Sequence, residues 1–572
     1  MGLKAGVGKA KVVFRQLSLP LFGYGRFYHQ STAQETDLFA RAFLFQHKGQ
    51  YACIINLECY LVSHHFKKAV LEEIAKRVPQ CPIQAEHLLI CTQNTHSAPG
   101  GISHYAFHNL STRGFRPDVF EAYKKACVDS FMQAWNAQFE ARLYLNASEI
   151  DASVDVGFNR SLDAYNRNTD VEPLDETQTH LAIDRMMRQL RITDAQGQDR
   201  GLLNWFGVQG SSISANNDKI HSDNKGYAAS LLENDKSELH TYVAGFCNDA
   251  SADVSPNYHG RAKWWPRGKF EDEFKSAYFN GFLQFEKAKN LIEREEEQIP
   301  ISNRVECRLQ YFDFSSVMCD ADFCADGREH RTGNAAAGLA MLNGSPVDNP
   351  GVDALTYSVL QSWVRYRNFL RKVPLLSKRQ SIREFKDLSE AQGNKLILSE
   401  LQERKVLGFT NLTKLKLPPG LSEVGDEIKH LYRQGALNEH TWVPVILPIQ
   451  IVLIGELAIA AVPGEITTIA GRRLKESLLA DLQKQGVLDV VLCCNANEYM
   501  GYTTTNEEYD VATYERGMTF FGQYTLAAVQ TCFRKVSKLF DKSTANSDSG
   551  PQPPEFSAHE LSLRTAQKPT IR

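Results

Sequence analysis

The chain has 572 residues, 43% hydrophobic and 23% charged, which is enough apolar material to bury a large core. Its 64 Lys and Arg nearly balance 67 Asp and Glu, for a formal net charge of −3, and that even balance speaks against a nucleic-acid binder, which carries a basic surplus. The opening residues MGLKAGVGKAKVVFRQ interleave lysines and hold no apolar run long enough for a secretion signal, so a cytoplasmic location is expected.

Taken in chain order, ARAFLFQHKGQYACIINLE (40–58) places two apolar runs either side of His47–Gln50 and predicts a hairpin. Pro117 and Asp118 open a predicted helix in which Phe120, Tyr123, Cys127, Phe131 and Trp135 recur at helical spacing and form a core stripe. Strands are predicted at 201–208 (GLLNWFGV) and 241–247 (TYVAGFC), each running into a polar loop. A charged helix follows at about 271–298, ending in the solvated run EREEEQ.

Residues 376–436 are rich in Lys, Glu and Gln and read as an insertion covering one side of the domain. The apolar stretch 443–464 (VPVILPIQIVLIGELAIAAVPG) is broken by Pro448, Gln450 and Glu456, so two buried strands are predicted there rather than a membrane helix. Residues 541–572, rich in Ser, Pro and Thr, read as a disordered tail. The fold class expected is α/β: one large domain over 1–540, with mixed sheets, surrounding helices and polar loops at strand ends. The twelve cysteines are scattered with no CxxC spacing, and neither a disulfide scaffold nor a cysteine zinc site is indicated.

The chemistry lies in those loops. CTQNTHSAPGG (91–101) sets His96 beside a Pro-Gly-Gly turn. Six further pieces follow: FNRSLDAYNRN (158–168), GLLNWFGVQGSS (201–212), HSDNKGYAA (221–229), DVSPN (253–257), the stretch 446–474 ending in VPGEITTIAGRRL, and NEYMGYTTTNEEYDVATYERG (497–517). In this order they resemble the neutral ceramidases, amidases that cleave the N-acyl bond of ceramide. The resemblance reaches from near residue 4 to about residue 530, and the family's C-terminal immunoglobulin-like domain is not matched.

The resemblance implies a ceramide-like N-acyl lipid as substrate, peripheral contact with a membrane, and a zinc ion held by two histidines, a glutamate and a tyrosine. The glutamate falls on Glu465 and the tyrosine on Tyr502, but the two histidines fall on Asn94 and Gln209. Of the remaining active-site groups, His96 matches a general acid or base, Arg160 and Tyr514 match groups that bear the oxyanion, and Ser255 matches a residue at the reacting carbonyl.

Amide oxygens are poor replacements for imidazoles on zinc. Three readings follow. In the first, hydrolysis persists on an oxygen-rich site of Asn94, Gln209, Glu465 and Tyr502 holding Ca²⁺, Mg²⁺ or Mn²⁺, or on a site that recruits His104, His108 or His221. In the second, the protein binds N-acyl lipid without cleaving it. The third, a serine amidase using Ser255 and His96, has little support because ADVSPN is not a nucleophile elbow. Taken singly, Glu465 reads as a helix cap, Arg160 as a buried ion pair, and Tyr502 and Tyr514 as core tyrosines.

Overall fold

The computed structural model describes residues 2–566 apart from 239–240, 261–267, 346, 374–378, 418–420, 512 and 542–548. The predicted hairpin forms from the strands Phe39–His47 and Gln50–Leu57, with Lys48 and Gly49 both at positive φ in its two-residue turn. Side chains alternate across it. Ala40, Ala42, Leu44, Cys53, Ile55 and Leu57 face the helices His64–Arg77 and Pro117–Asn136, whereas Phe43, Phe45, Ala52 and Ile54 face a second sheet. Burial on both faces is why these strands read as nearly continuous apolar runs.

The larger sheet runs in the order Val243–Asn248, Asp199–Phe206, Met186–Asp194, Phe139–Glu149, Lys4–Lys11, Phe39–His47, Gln50–Leu57, Leu88–Thr92, with Ile299–Pro300 added beside Phe139–Glu149. The second sheet has four strands, Val305–Asp313, Ile446–Ile454, Leu457–Ala461 and Asp489–Cys493. Its middle pair, an antiparallel hairpin, supplies the two buried strands expected from 443–464. One apolar layer, including Phe43, Leu203, Trp205, Val452, Ile459 and Val491, joins the two sheets face to face. Helices cover both outer faces, with Thr468–Leu482 and Thr525–Ser537 on the second sheet and Asp223–Asp235 with Glu273–Glu293 on the first. The result is a four-layer α/β sandwich of mixed sheets. Among the described residues no helix is long and apolar enough to cross a membrane.

Two segments differ from the sequence reading. Residues within 376–436 do not simply cover one side. The strand Ile397–Glu400 pairs with Ala336–Gly338, and Leu398, Leu401, Val406, Leu412 and Leu415 enter the core of the second half. The C-terminal segment was expected to be disordered, yet residues 549–566 are docked. Ser549 pairs with Tyr311, His65 Nε2 donates to Pro554 O at 2.8 Å, Phe556 packs among His65, His104, Tyr105 and His440, and Thr565 bridges to Phe115. The residues 542–548 and 567–572 of that reading lie outside the described residues. Three cysteines also converge in a way that sequence spacing gave no sign of: the sulfurs of Cys91, Cys247 and Cys493 lie within 4.8 Å of one another.

Candidate active site

Five strands deliver the predicted residues to one place. Asn94 and His96 follow Leu88–Thr92, Gln209 follows Asp199–Phe206, Ser255 lies beyond Val243–Asn248, Glu465 follows Leu457–Ala461, and Tyr502 follows Asp489–Cys493. The loops are stitched together by backbone pairing. His96 N donates to Gly210 O at 2.9 Å, and Glu465 pairs with Tyr502 in a short parallel ladder. Asn94 holds φ +67, a left-handed conformation that asparagine tolerates better than most residues. Gly23 lets its own chain lie against the catalytic turn, since a Cβ there would fall 2.3 Å from His96 Cα.

Glu465 is the hub. Its buried Oε1 accepts hydrogen bonds from Tyr499 Oη at 2.8 Å and Tyr60 Oη at 3.0 Å. Its Oε2 accepts from Gln209 Nε2 and, at 3.3 Å, from Asn94 Nδ2. Asn94 Nδ2 also donates to Gln209 Oε1 at 2.7 Å. Burial and the Glu465 charge push the Tyr60, Tyr499 and Tyr502 phenols well above their ordinary value, so they remain protonated donors. Tyr502 stands edge-on to Tyr514, with ring centroids 5.5 Å apart.

This arrangement does not fit a zinc ion of the kind the resemblance implies. The two residues in place of the histidines turn N–H groups toward the carboxylate that would be a ligand, and both carboxylate oxygens are already filled by donors. Nor is a hard-cation site assembled, because Asn94 Oδ1 is the one oxygen of the set left buried without a partner, and such ions take six or more. Replacing Glu465 with Gln puts an amide N–H₂ where donors now point. It is expected to cost about 1–3 kcal/mol of stability, the typical penalty for a buried group left unsatisfied. Chemical denaturation measures this, and an unchanged midpoint would mean that the carboxylate is not the shared acceptor.

None of the alternative histidines bonds to Glu465, although His108 lies on the wall of the cavity beside the site, edge-on to Tyr499 with ring centroids 5.4 Å apart. His104 lies among His65, Phe115, Phe120 and Phe556, His108 pairs with Ser103, and His221 with Tyr227 and the Asp223 backbone. His104 and His108 do not share a helical face, as only a short 3-10 turn forms at Phe107–Asn109. Burial pushes all three imidazoles down to about 3.

His96 is different. Its Nδ1 lies 3.0 Å from Asn94 O and 3.2 Å from Gly210 O, so Nδ1 carries the proton and Nε2 keeps its lone pair. Tyr24 and Tyr60 flank the ring, with centroids 4.8 and 4.9 Å away, and burial lowers its pKa against the opposing pull of Glu465.

Arg160 and Ser255 belong to a second network built around two carboxylates. Arg160 reaches Glu515 at 3.0 Å, Asp348 at 2.9 Å and Ala252 O at 2.7 Å, and its guanidinium lies 5.9 Å from the Tyr514 ring centroid. Ser255 Oγ donates to Asp348 Oδ1 at 2.6 Å, and Asn257 Nδ2 donates to the same oxygen at 2.6 Å. Ser255 Oγ–H is directed at Asp348 and not at His96, so the Ser255–His96 pair that the serine-amidase reading needs is not formed. The sequence reading missed Tyr60, Tyr499, Asp348 and Glu515. Tyr499 and Glu515 sit inside the last quoted motif, but nothing local marks Tyr60 or Asp348.

Above this floor opens a cavity of about 530 Å³. Tyr60, Tyr499 and Tyr514 form its polar end, and Phe22, Phe27, Phe107, Leu342, Val352 and Met518 are among its apolar walls. Its volume lies in the range of small-molecule sites, which are typically about 300–1,000 Å³.

The comparisons with known proteins agree with this geometry. The profile of the neutral/alkaline non-lysosomal ceramidase N-terminal domain matches residues 3–425 and 405–531. A neutral ceramidase of Pseudomonas aeruginosa is 27% identical over 530 residues, covering 92% of this chain and 70% of the relative. One from Mycobacterium tuberculosis is 27% identical over 546 residues, covering 94% of this chain and 77% of the relative. A solved ceramidase complexed with C2 superposes with a TM-score of 0.78 at 26% identity, covering 98% of this chain and 78% of that one. A crystal structure of the Pseudomonas aeruginosa neutral ceramidase gives 0.77 at 25%, covering 99% and 78%. With the family model matching most of its length and solved members of the family sharing its fold, the chain belongs to the neutral/alkaline non-lysosomal ceramidase family.

Proposed function

We propose that the protein is a ceramidase-type hydrolase that takes ceramide or a related N-acyl lipid into the 530 Å³ cavity and cleaves its amide bond at the tyrosine-lined end. The observation that carries this reading is the cavity itself, an apolar chamber that ends on Tyr60, Tyr499 and Tyr514 and backs directly onto Glu465. Alkyl chains gain by leaving water for such walls, at about 0.8 kcal/mol per buried methylene. Protonated phenols at the far end suit an amide carbonyl oxygen.

The family is one of metal-dependent hydrolases, but the four metal positions of this chain do not fit zinc, and no step is assigned to a metal. The chain's own groups supply the following chemistry. His96 Nε2 accepts a proton from water as the water oxygen bonds to the carbonyl carbon, and returns it to the nitrogen as the C–N bond breaks. Phenol O–H groups donate to the developing oxyanion. Arg160, held by Asp348 and Glu515, fixes Tyr514 and keeps positive charge beside it.

One observation favours a second reading, in which the pocket holds N-acyl lipid uncleaved: Glu465 is saturated by amide and phenol donors. Release of fatty acid from a soluble, short-chain labelled ceramide separates the two, with elemental analysis of the same preparation. Turnover is expected without stoichiometric zinc. Tight binding of the ceramide with no release would establish the second reading.

A further inference from the structure

The helix Ala354–Lys372 starts two residues after Val352, a wall residue of the cavity. Leu360 and Val364 are buried in the core and fix its inner side. On the opposite side stand Leu355, Val359, Tyr366 and Phe369, which are 76%, 52%, 59% and 62% exposed. At 100° per residue these four fall within about 80° of the helix circumference. At 1.5 Å per residue the stripe they make is about 21 Å long.

An exposed apolar stripe of that length is uncommon on a protein surface and marks a surface that meets something. The charge pattern identifies the partner. The helix sequence ALTYSVLQSWVRYRNFLRK holds no acidic residue. Arg371 is paired with Glu400, and Arg367 lies over Phe409 and donates to Leu407 O. Arg365 and Lys372 are exposed and flank the stripe on one side. Asp353 caps the helix by accepting from Thr356 N, Glu423 stands on the cavity wall, and Glu384, Asp387 and Glu390 lie on the helix Arg379–Gln392 packed beside it. Apolar side chains with a basic margin suit a helix lying in the interface of a bilayer with anionic headgroups. A second copy is a poorer occupant, since the helix brings no carboxylate along its length to meet the partner's Arg365 and Lys372.

We propose that the face formed by Leu355, Val359, Tyr366 and Phe369 seats the protein on an anionic lipid bilayer, so that substrate enters the cavity beside Val352 from the leaflet. This rests on the N-acyl lipid reading of the cavity.

The test is co-sedimentation of the full chain with phosphatidylcholine vesicles with and without phosphatidylserine. Each sample is paired with hydrolysis of soluble short-chain ceramide and of long-chain ceramide held in the same vesicles. Wild type is expected to bind best to the vesicles with phosphatidylserine. Arg365→Gln with Lys372→Gln should weaken that binding about 10- to 30-fold. The triple variant Leu355→Ser, Val359→Ser, Phe369→Ser should lose most binding to both vesicle types. Both variants should cleave the soluble ceramide as wild type does, and the vesicle-held ceramide at least about 10-fold more slowly. If wild type cleaves neither ceramide, the hydrolase reading fails while the vesicle measurement still decides the docking face. Wild type that stays in the supernatant, or variants that bind as well as wild type, would overturn the proposal. So would a wild-type dimer that the triple variant turns into a monomer.

Discussion

Replacing Asn94 and Gln209 together with histidine is expected to give a protein that holds one zinc ion per chain, where the natural sequence is expected to hold none. The present pair spends three N–H contacts on each other and on Glu465. Two imidazoles in their place would free a carboxylate oxygen and complete, with Glu465 and its ladder partner Tyr502, a four-donor set of the kind zinc prefers. The apparent affinity should rise by at least about 100-fold, since loss of a single hydrogen-bond partner behind a zinc ligand already costs about 10–100-fold. Both positions are buried, so overpacking is expected to cost about 1–3 kcal/mol of stability. Elemental analysis after exhaustive dialysis reads the result, with turnover of short-chain ceramide expected to rise in parallel. A folded double variant that takes up no zinc would show that Asn94 and Gln209 do not occupy the metal positions.

His96→Ala is expected to lower kcat/KM for soluble ceramide by about 10²- to 10⁴-fold, the range of a lost general base. The pH profile gives an independent reading of the same group. The imidazole works in its neutral form, and burial depresses its pKa below the ordinary value near 6.5. Activity should therefore be level through neutral pH and fall only as the pH drops through that depressed value, where His96 gains a proton. The acid limb should disappear from whatever activity His96→Ala retains. A wild-type profile already half lost at pH 7 would contradict the geometry around Nδ1.

Much of the architecture is written in local pattern. The hairpin at 40–58 shows in its two apolar runs and the His-Lys-Gly-Gln turn between them, and the helix from Pro117 in its start signal and apolar stripe. The strand pair at 446–461 is recognisable because Pro448, Gln450 and Glu456 are intolerable in a membrane helix. Of the site, the residues that match the family's motif positions could be named, whereas Tyr499 and Glu515 went unnamed inside one of those motifs. What escaped were the partners supplied from far away. Tyr60 meets Glu465 across 405 residues, and Asp348 meets Ser255 across 93, and neither leaves a periodic or compositional trace. The order of residues 549–566 was invisible for a related reason, since their composition is that of a solvated chain and what holds them, the aromatic nest around Phe556 and the backbone pairing with Tyr311 and Phe115, comes from far away in sequence. The segment 376–436 was misread because its strands are short and pair non-locally.

The docked C-terminal segment sets a timetable for biosynthesis. Phe115 pairs with residues 564–566, some 450 positions later in the chain. At roughly 5–20 residues per second, about 20 to 90 seconds separate the synthesis of these two partners. Throughout that interval His65, His104 and Tyr105 lack the cover of Phe556 and the Phe115 backbone lacks its partners, and the nascent chain presents a sticky face to its neighbours. Dependence on a holding chaperone should therefore be greatest late in translation, and slowing ribosomes over the last third of the message should lower the soluble yield.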